Sequence, residues 1–199
     1  MSPDDGDVNR PRRGRPVDHH IDAALVAAAH AVFAELGWRG TTVERVATRA
    51  GVSRASAYRR CESRYGLLML MMGDIYERVP VADTGTLRGD LVALMEDVAR
   101  VWRDPAHVRF LAAVVSAQHE DERLSQAYLT QFTQRRAATS VIVQRAAQRG
   151  ELARPGQGDL LLDMLAGIVA QVVLLRRAPL APDFAEQVVD ALLNGFGTA

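Results

Sequence analysis

The chain has 199 residues, enough for one sizeable core or for a small domain joined to a larger one, and its 48% hydrophobic and 24% charged residues are typical of a globular protein. A single cysteine excludes an intrachain disulfide and suits a reducing cytoplasm, and the polar first residues predict no secretory signal. The net charge of zero is uneven, because residues 10–66 hold 11 arginines against five acidic residues, whereas residues 67–199 hold 13 against 16. A basic module on a mildly acidic body favours contact with a polyanion at one end.

Residues 1–17 are predicted to form a disordered, arginine-rich arm, since they are polar and interrupted by proline and glycine. Within the arm, Arg13-Gly14-Arg15-Pro16 resembles the core of an AT-hook, an extended Arg-Gly-Arg that lies in the minor groove of A·T-rich DNA. Arg13 and Arg15 are therefore candidate DNA contacts, mostly electrostatic in character. The alternative is a basic tail without a partner.

From residue 18 onward the apolar residues recur at the helical period, and no segment alternates in the manner of a strand. Gly37 is predicted to end the first helix, and Thr41-x-x-Glu44 has the form of a capping box at the start of the second. The sequence therefore predicts an all-α fold of about nine helices, over residues 18–36, 43–50, 54–60, 63–78, 86–103, 105–118, 121–149, 158–176 and 183–196.

The segment between the second and third helices has the spacing of a helix-turn-helix. Gly51 permits the left-handed turn, Val52 plugs the angle between the helices, and Ser53 caps the helix that follows. Residues 54–60 present small or hydrogen-bonding side chains beside arginine, a composition suited to base edges and phosphates. A generic helical hairpin with a solvated arginine face has the same spacing, so spacing alone leaves both interpretations open.

A longer pattern surrounds this turn, and its residues are Thr42-Val43-Glu44-Arg45-Val46-Ala47, Ala50-Gly51-Val52-Ser53, Ser56, Tyr58, Ser63-Arg64 and Leu67-Leu68. In their order and spacing, residues 18–70 resemble the DNA-binding region of the TetR family of repressors. The resemblance implies a three-helix helix-turn-helix domain over residues 18–65 and a helical ligand-binding and dimerisation domain over residues 66–199.

The same resemblance implies roles for individual side chains. Some would contact backbone phosphates, some would cap helices whose N-termini face the DNA backbone, and some would face base edges. In that order they are Tyr58 and Arg64; Thr42 and Ser53; and Arg54, Ala55 and Ser56, with Arg59 a further candidate DNA contact.

The chain departs from the family pattern beneath the third helix. Arg60-Cys61 stand where the family usually has His, Tyr or Asn followed by Phe, and Ala57 replaces a larger aliphatic residue. The lost apolar volume costs about 1 kcal/mol or more per site unless other side chains refill it. Cys61 is either a small buried hydrophobe in the Phe position or a redox switch activated by the neighbouring arginines.

By the family resemblance, helices 121–149 and 158–176 would carry a pocket for a small lipophilic molecule, and neighbouring helices would wrap around it. The alternative is a pure dimerisation scaffold or a protein-binding surface. The candidate ligand contacts are Met95, Trp102, His107, Phe110, Gln118, Tyr128, Phe132 and Gln171.

Residues 160–175 are apolar apart from Asp163 and Gln171, and they are too few for a comfortable membrane span. A helix that is apolar all round must be buried on all sides, so its outer face is expected to meet a second subunit. The predicted partners are therefore a second copy of the chain, joined through residues 158–176 and 183–196, double-stranded DNA and a small-molecule effector, but no membrane.

The sequence carries none of the common catalytic or nucleotide-binding motifs, and it has no compact metal motif such as two histidines at i and i+4. We therefore expect no enzyme, no metal and no cofactor. The resemblance implies a cytoplasmic repressor that leaves a palindromic operator when its ligand binds.

Overall fold

The computed structural model describes residues 19–152 and 157–194. Within these residues the chain forms nine α-helices and no strand, which confirms the all-α prediction. The predicted arm, with Arg13 and Arg15, lies outside the described residues. The helices are α1 (His19–Gly40), α2 (Val43–Ala50), α3 (Arg54–Cys61), α4 (Arg64–Glu77), α5 (Leu87–Trp102), α6 (Pro105–Ala117), α7 (Glu122–Gln148), α8 (Gln157–Ala170) and α9 (Phe184–Asn194).

Most helices begin where a side chain satisfies the free amides of the first turn. Ser63 accepts from the Gly66 amide at 3.3 Å, Thr86 from Gly89 at 3.0 Å and Asp104 from Ala106 at 2.8 Å. The predicted break at Gly37 is also observed, since this residue has φ +65° and interrupts α1 before its last short turn. These local interactions explain why the predicted ends agree with the structure to within a few residues.

Helices α1 to α3 pack around a small core, with α1 against α2 and α4, and α3 against α2 and α4. The side chains at the centre of this core are completely buried, and they are Leu25, Ala29, Val46, Ala47, Ala57 and Leu67.

Helix α4 belongs to both halves of the protein. Its first half contributes the buried Leu67 and Leu68 beside α1 and α3, and its second half packs against α7. In the larger half, α5 packs against α9 and α7 packs against α8, while α6 lies on α1. The domain boundary that the sequence predicts at residues 65 and 66 therefore falls inside a helix shared by the two halves.

The helix predicted over residues 158–176 changes form near its end. The Arg176 amide donates to the Gln171 carbonyl at 2.9 Å, five residues back, so residues 171–175 form a π turn that continues α8. Residues 21–40 and 158–175 are each long and apolar enough to cross a bilayer by composition alone. Both nevertheless bury side chains in the protein core, among them Leu25 and Leu165.

Candidate DNA-reading surface and ligand chamber

The turn between α2 and α3 has the geometry that its sequence predicts. Gly51 adopts φ +67°, a left-handed conformation that favours glycine, and the Val52 amide returns to the Ala47 carbonyl at 3.1 Å. Ser53 then caps α3 by accepting from the Ser56 amide at 3.1 Å. The two short helices are thus joined by the capped turn of a helix-turn-helix.

The start of α2 differs from the predicted capping box. Thr42, rather than Thr41, is the capping residue, and it accepts from the Arg45 amide at 3.3 Å. Thr41 is buried, and its hydroxyl donates to the Gly37 carbonyl at 2.9 Å. The box prediction is wrong because the break at Gly37 leaves a carbonyl that Thr41 satisfies.

The outer face of α3 carries the side chains that the sequence assigns to DNA reading. Arg54, Ala55 and Arg59 are exposed and Ser56 is half-buried, whereas Ala57 faces the core. The Arg59 guanidinium donates to the Ser56 hydroxyl at 3.0 Å. The face is therefore basic, narrow and open to solvent, as a helix in a major groove requires.

Tyr58, a predicted phosphate contact, is 41% exposed and donates its hydroxyl hydrogen bond to Glu44 of α2. This bond raises the pKa of the tyrosine and lowers the pKa of the Glu44 carboxyl. A phosphate that approached Tyr58 would compete with Glu44 for the same hydroxyl.

Arg64, the other predicted phosphate contact, joins the two halves of the protein in this structure. Its guanidinium pairs with Asp121 at 2.8 Å and lies 4.8 Å from the centre of the Trp38 ring. Asp121 also accepts from the Tyr65 hydroxyl at 3.1 Å and caps α7 through the Leu124 amide at 3.1 Å. A phosphate that approached Arg64 would therefore compete with this carboxylate for the guanidinium.

Of the two roles considered for Cys61, a small buried hydrophobe or a redox switch, the structure favours the buried hydrophobe. Its thiol is 3% exposed and donates to the Ala57 carbonyl at 3.1 Å. Burial raises the pKa of the Cys61 thiol to about 11, so the thiolate that a redox switch needs is disfavoured.

A cavity of about 510 Å³ lies between α4, α5, α6, α7 and α8. Five of the predicted ligand contacts line it: Met95, Trp102, Gln118, Tyr128 and Phe132. A cavity of this size suits a small molecule, and its walls are mainly apolar with a few polar groups.

Three predicted ligand contacts lie away from this cavity. The His107 Nδ1 donates to the Val101 carbonyl at 3.0 Å, and its ring packs against His30 of α1. Phe110 packs edge-on against Phe33 of α1, with ring centres 4.9 Å apart. Gln171 is exposed on the outer side of the π turn. The helical period alone does not distinguish the face of α6 that meets α1 from the face that meets the cavity.

Two parts of the cavity wall were not anticipated from the sequence. Helix α4 contributes Met72, Ile75 and Tyr76, and α7 contributes the adjacent Arg135 and Arg136. The apolar side chains near the end of α4 could have indicated the contribution of this helix to the cavity wall. Nothing in the sequence pattern marks two arginines as cavity residues.

Two family models match most of the chain. The model described as bacterial regulatory proteins, tetR family, matches residues 25–69, and the model described as tetracyclin repressor-like, C-terminal domain, matches residues 81–192. The chain is 27% identical over 187 residues to the uncharacterised HTH-type transcriptional regulator YdeS of Bacillus subtilis, which covers 93% of this chain and 92% of YdeS. It is 28% identical over 175 residues to the HTH-type transcriptional regulator AqdR of Rhodococcus erythropolis, with 86% and 83% covered.

Solved structures show the same fold. The TetR family transcription regulator SCO0332 superposes with a TM-score of 0.73 at 26% identity, over 90% of this chain and all of that one. The transcriptional regulator FadR from Bacillus subtilis, in complex with stearoyl-CoA, gives a TM-score of 0.69 at 18% identity, over 88% of this chain and 99% of FadR.

The fold and the helix-turn-helix therefore define a DNA-binding transcriptional regulator, a class distinct from enzymes. The chain belongs to the TetR family.

Proposed function

We propose that the protein is a cytoplasmic, homodimeric repressor that leaves a palindromic operator when a lipophilic ligand enters the cavity. The observation that carries this proposal is the double role of α4. Its first half packs against α3, the helix proposed to read DNA, and Met72, Ile75 and Tyr76 of its second half line the cavity. A ligand that moves this wall also moves the reading helix.

The DNA contacts are proposed on the exposed face of α3. Arg54 opens this helix, and no hydrogen bond or ion pair joins its side chain to another residue of the described ranges, so it is available for a guanine edge. Thr42 and Ser53 cap the two helix starts, where free amides and the helix dipole favour a phosphate. Tyr58 would exchange Glu44 for a phosphate on binding.

The dimer is proposed through α8 and α9. Leu160 and Met164 on the outer face of α8 are 61% and 47% exposed, and Leu193 at the end of α9 is 37% exposed. An exposed apolar stripe on a helix whose other face is in the core favours contact with a second copy. Two such helices from each subunit would form a four-helix contact with a two-fold axis, and a two-fold dimer reads a palindrome.

Ligand gating is proposed to act through the separation of the two reading helices. They must lie about 34–36 Å apart to enter successive major grooves, so a shift of a few ångströms at α4 weakens binding. A lipophilic ligand agrees with the mainly apolar wall, and FadR, which shares the fold, has been crystallised with stearoyl-CoA. A ligand shifts the equilibrium only as far as it prefers the released conformation.

The DNA-reading proposal is tested by fluorescence anisotropy on the DNA upstream of the chain's own gene and on a scrambled duplex. Arg54→Ala is expected to weaken operator binding by about 1–3 kcal/mol and to leave scrambled DNA nearly unchanged. Replacing Arg13 and Arg15 together is expected to weaken both duplexes and to flatten the dependence of log affinity on log salt by up to about 3–4 in a dimer. Equal weakening of both duplexes by Arg54→Ala would show that Arg54 contacts a phosphate and not a base edge.

The gating proposal is tested by reciprocity. Calorimetric titration of a lipophilic ligand should give a weaker affinity when operator is bound, by the same factor by which the ligand weakens operator binding. Equal ligand affinities with and without operator would refute gating and would favour a dimerisation scaffold.

A further inference from the structure

Arg135 is a half-buried cation whose side chain makes no hydrogen bond or ion pair with another residue of the described ranges. It lies on α7 in the cavity wall, and its Nη2 is sealed from solvent and has no hydrogen-bond partner in the part of the chain that the structure describes. Its guanidinium carbon lies 5.7 Å from the centre of the Tyr76 ring, which is a cation–π contact. An aromatic face compensates a buried charge only in part, because it accepts no strong hydrogen bond.

The neighbouring Arg136, in the same cavity wall, has its charge neutralised by acidic side chains of α8. The Arg136 guanidinium pairs with Asp163 of α8 at 2.8 Å and donates to the Asp159 carbonyl at 2.6 Å. Arg136 thus has a structural role, the joining of α7 to α8. No acidic side chain of the described residues forms an ion pair with Arg135.

The surroundings of Arg135 are suited to an anion. Burial lowers the pKa of Arg135, and burial, followed by the nearby Tyr128, raises the pKa of Tyr76 well above its usual value. Both tyrosines therefore stay neutral near neutral pH and keep O–H groups that can donate. Arg135 and two neutral phenols thus supply polar groups to the wall of a cavity that is otherwise mainly apolar.

We infer that the effector is a lipophilic monoanion whose carboxylate pairs with Arg135 while its apolar part fills the rest of the cavity. A carboxylate can accept two parallel hydrogen bonds from a guanidinium, and because Nη2 is sealed here, this pairing requires the Arg135 side chain to turn toward the cavity when the ligand binds. A dianion would bring a second charge that the cavity does not neutralise, because Arg136 is already taken by Asp163 and Asp159. This inference rests on the proposed ligand-gated function and names the chemistry of its ligand.

The test compares acids with the matching alcohols, so that the tail is constant and only the charge changes. The pairs are decanoate and decanol, phenylbutyrate and phenylbutanol, and naphthylacetate and naphthylethanol. They are titrated calorimetrically into the full chain at about pH 7.5, where a carboxylic acid is ionised. The wild type is expected to bind the acid about 30-fold more tightly than the alcohol in each pair that binds.

Three variants assign this preference to one residue. Arg135→Met is expected to lose the preference for the acid and to bind the alcohol as well as the wild type does. Arg135→Lys keeps a positive charge and should keep part of the preference. Arg136→Met is the matched control, since it removes an adjacent arginine of the same wall whose charge Asp163 neutralises, and it should leave the ratio of acid to alcohol affinity unchanged.

Several results would overturn the inference. They are binding of no acid by the wild type, equal affinity for acid and alcohol, or an equal loss of preference in Arg135→Met and Arg136→Met. Operator release, measured on the same samples, separates this failure from failure of the proposed function. If the alcohol releases operator and the acid binds no more tightly, ligand gating stands and the inferred carboxylate contact is wrong. If the acid binds selectively but never releases operator, the carboxylate contact stands and ligand gating is wrong.

Discussion

Asp121 carries the contact between the two halves of the protein, and replacing it tests how strongly they are joined. Its carboxylate caps α7 through the Leu124 amide at 3.1 Å and accepts from Arg64 at 2.8 Å and from Tyr65 at 3.1 Å. Asp121→Ala removes both the cap and the interdomain contact. Asp121→Asn keeps an oxygen that can cap but removes the charge.

The expected loss of stability has two parts. An aspartate cap is worth about 1 kcal/mol. The ion pair is partly exposed, with 34% of the Arg64 side chain and 20% of the Asp121 side chain accessible, so its charge-assisted hydrogen bonds are worth about 1–2 kcal/mol. The free energy of unfolding should therefore fall by about 2–3 kcal/mol in Asp121→Ala and by about 1–2 kcal/mol in Asp121→Asn.

Urea unfolding measures these differences, and the chain offers a matched control. Asp104 caps α6 through the Ala106 amide at 2.8 Å and has only a long ion-pair contact, 3.9 Å to His107 of the same helix, so Asp104→Ala should cost only about 1 kcal/mol. A double-mutant cycle of Asp121→Asn with Arg64→Met should give a coupling energy of about 1–2 kcal/mol. Equal costs for Asp121→Ala and Asp104→Ala, together with additive effects in the cycle, would refute the interdomain role.

The same contact should depend on pH. Although burial acts to raise it, the pKa of Asp121 lies below its usual value, because the Leu124 amide and the Tyr65 hydroxyl donate to the carboxylate and Arg64 lies beside it. The contribution of Asp121 to stability is then complete above the unfolded-state pKa of about 3.9 and is lost as the pH falls through the lower folded-state value. The stability difference between wild type and Asp121→Asn should be constant near neutrality and shrink below about pH 4.

Three other substitutions or reactions test separate contacts. In Gly66→Ala the added carbon lies 1.7 Å from the Cys61 carbonyl oxygen, so the free energy of unfolding should fall by about 2 kcal/mol or more, whereas Gly73→Ala on the same helix meets nothing within 4 Å and should be neutral or gain up to about 1 kcal/mol. Equal urea midpoints for these two variants would contradict the close approach of α3 and α4. Burial raises the pKa of the Cys61 thiol to about 11, so iodoacetamide should label it, as followed by mass spectrometry, only in urea; rapid labelling of the folded protein would show an accessible thiolate. Leu160→Asp on the outer face of α8 should convert a sedimenting dimer into a monomer, whereas Leu129→Asp, at a similarly exposed leucine of α7, should leave the dimer intact; a dimer in both variants would exclude α8 from the interface.

The secondary structure and the helix-turn-helix could be predicted because the signals are local. Ser53 and Ser63 cap helices by bonding amides three residues away, and Gly51 makes its turn with its own neighbours. Buried Ala57 and Cys61 follow from the helical period of α3. The error in the capping box at Thr41 also arose from a neighbour, the break at Gly37. Interactions of this range are encoded in a few consecutive residues.

Only the tertiary structure decided which side chains reach the cavity and which charges find partners. Arg135 and Arg136 are adjacent on α7, yet the first is unpaired beside Tyr76 and the second pairs with Asp163 of α8. A helix turns by about 100° per residue, so neighbours in sequence face different elements. The partner that neutralises a charge comes from a segment far along the chain, as Asp121 does for Arg64 across 57 positions. The sequence by itself therefore determined the helices and the helix-turn-helix, while the packing of helices distant in the chain determined where the cavity lies and which arginine of its wall has no ion pair.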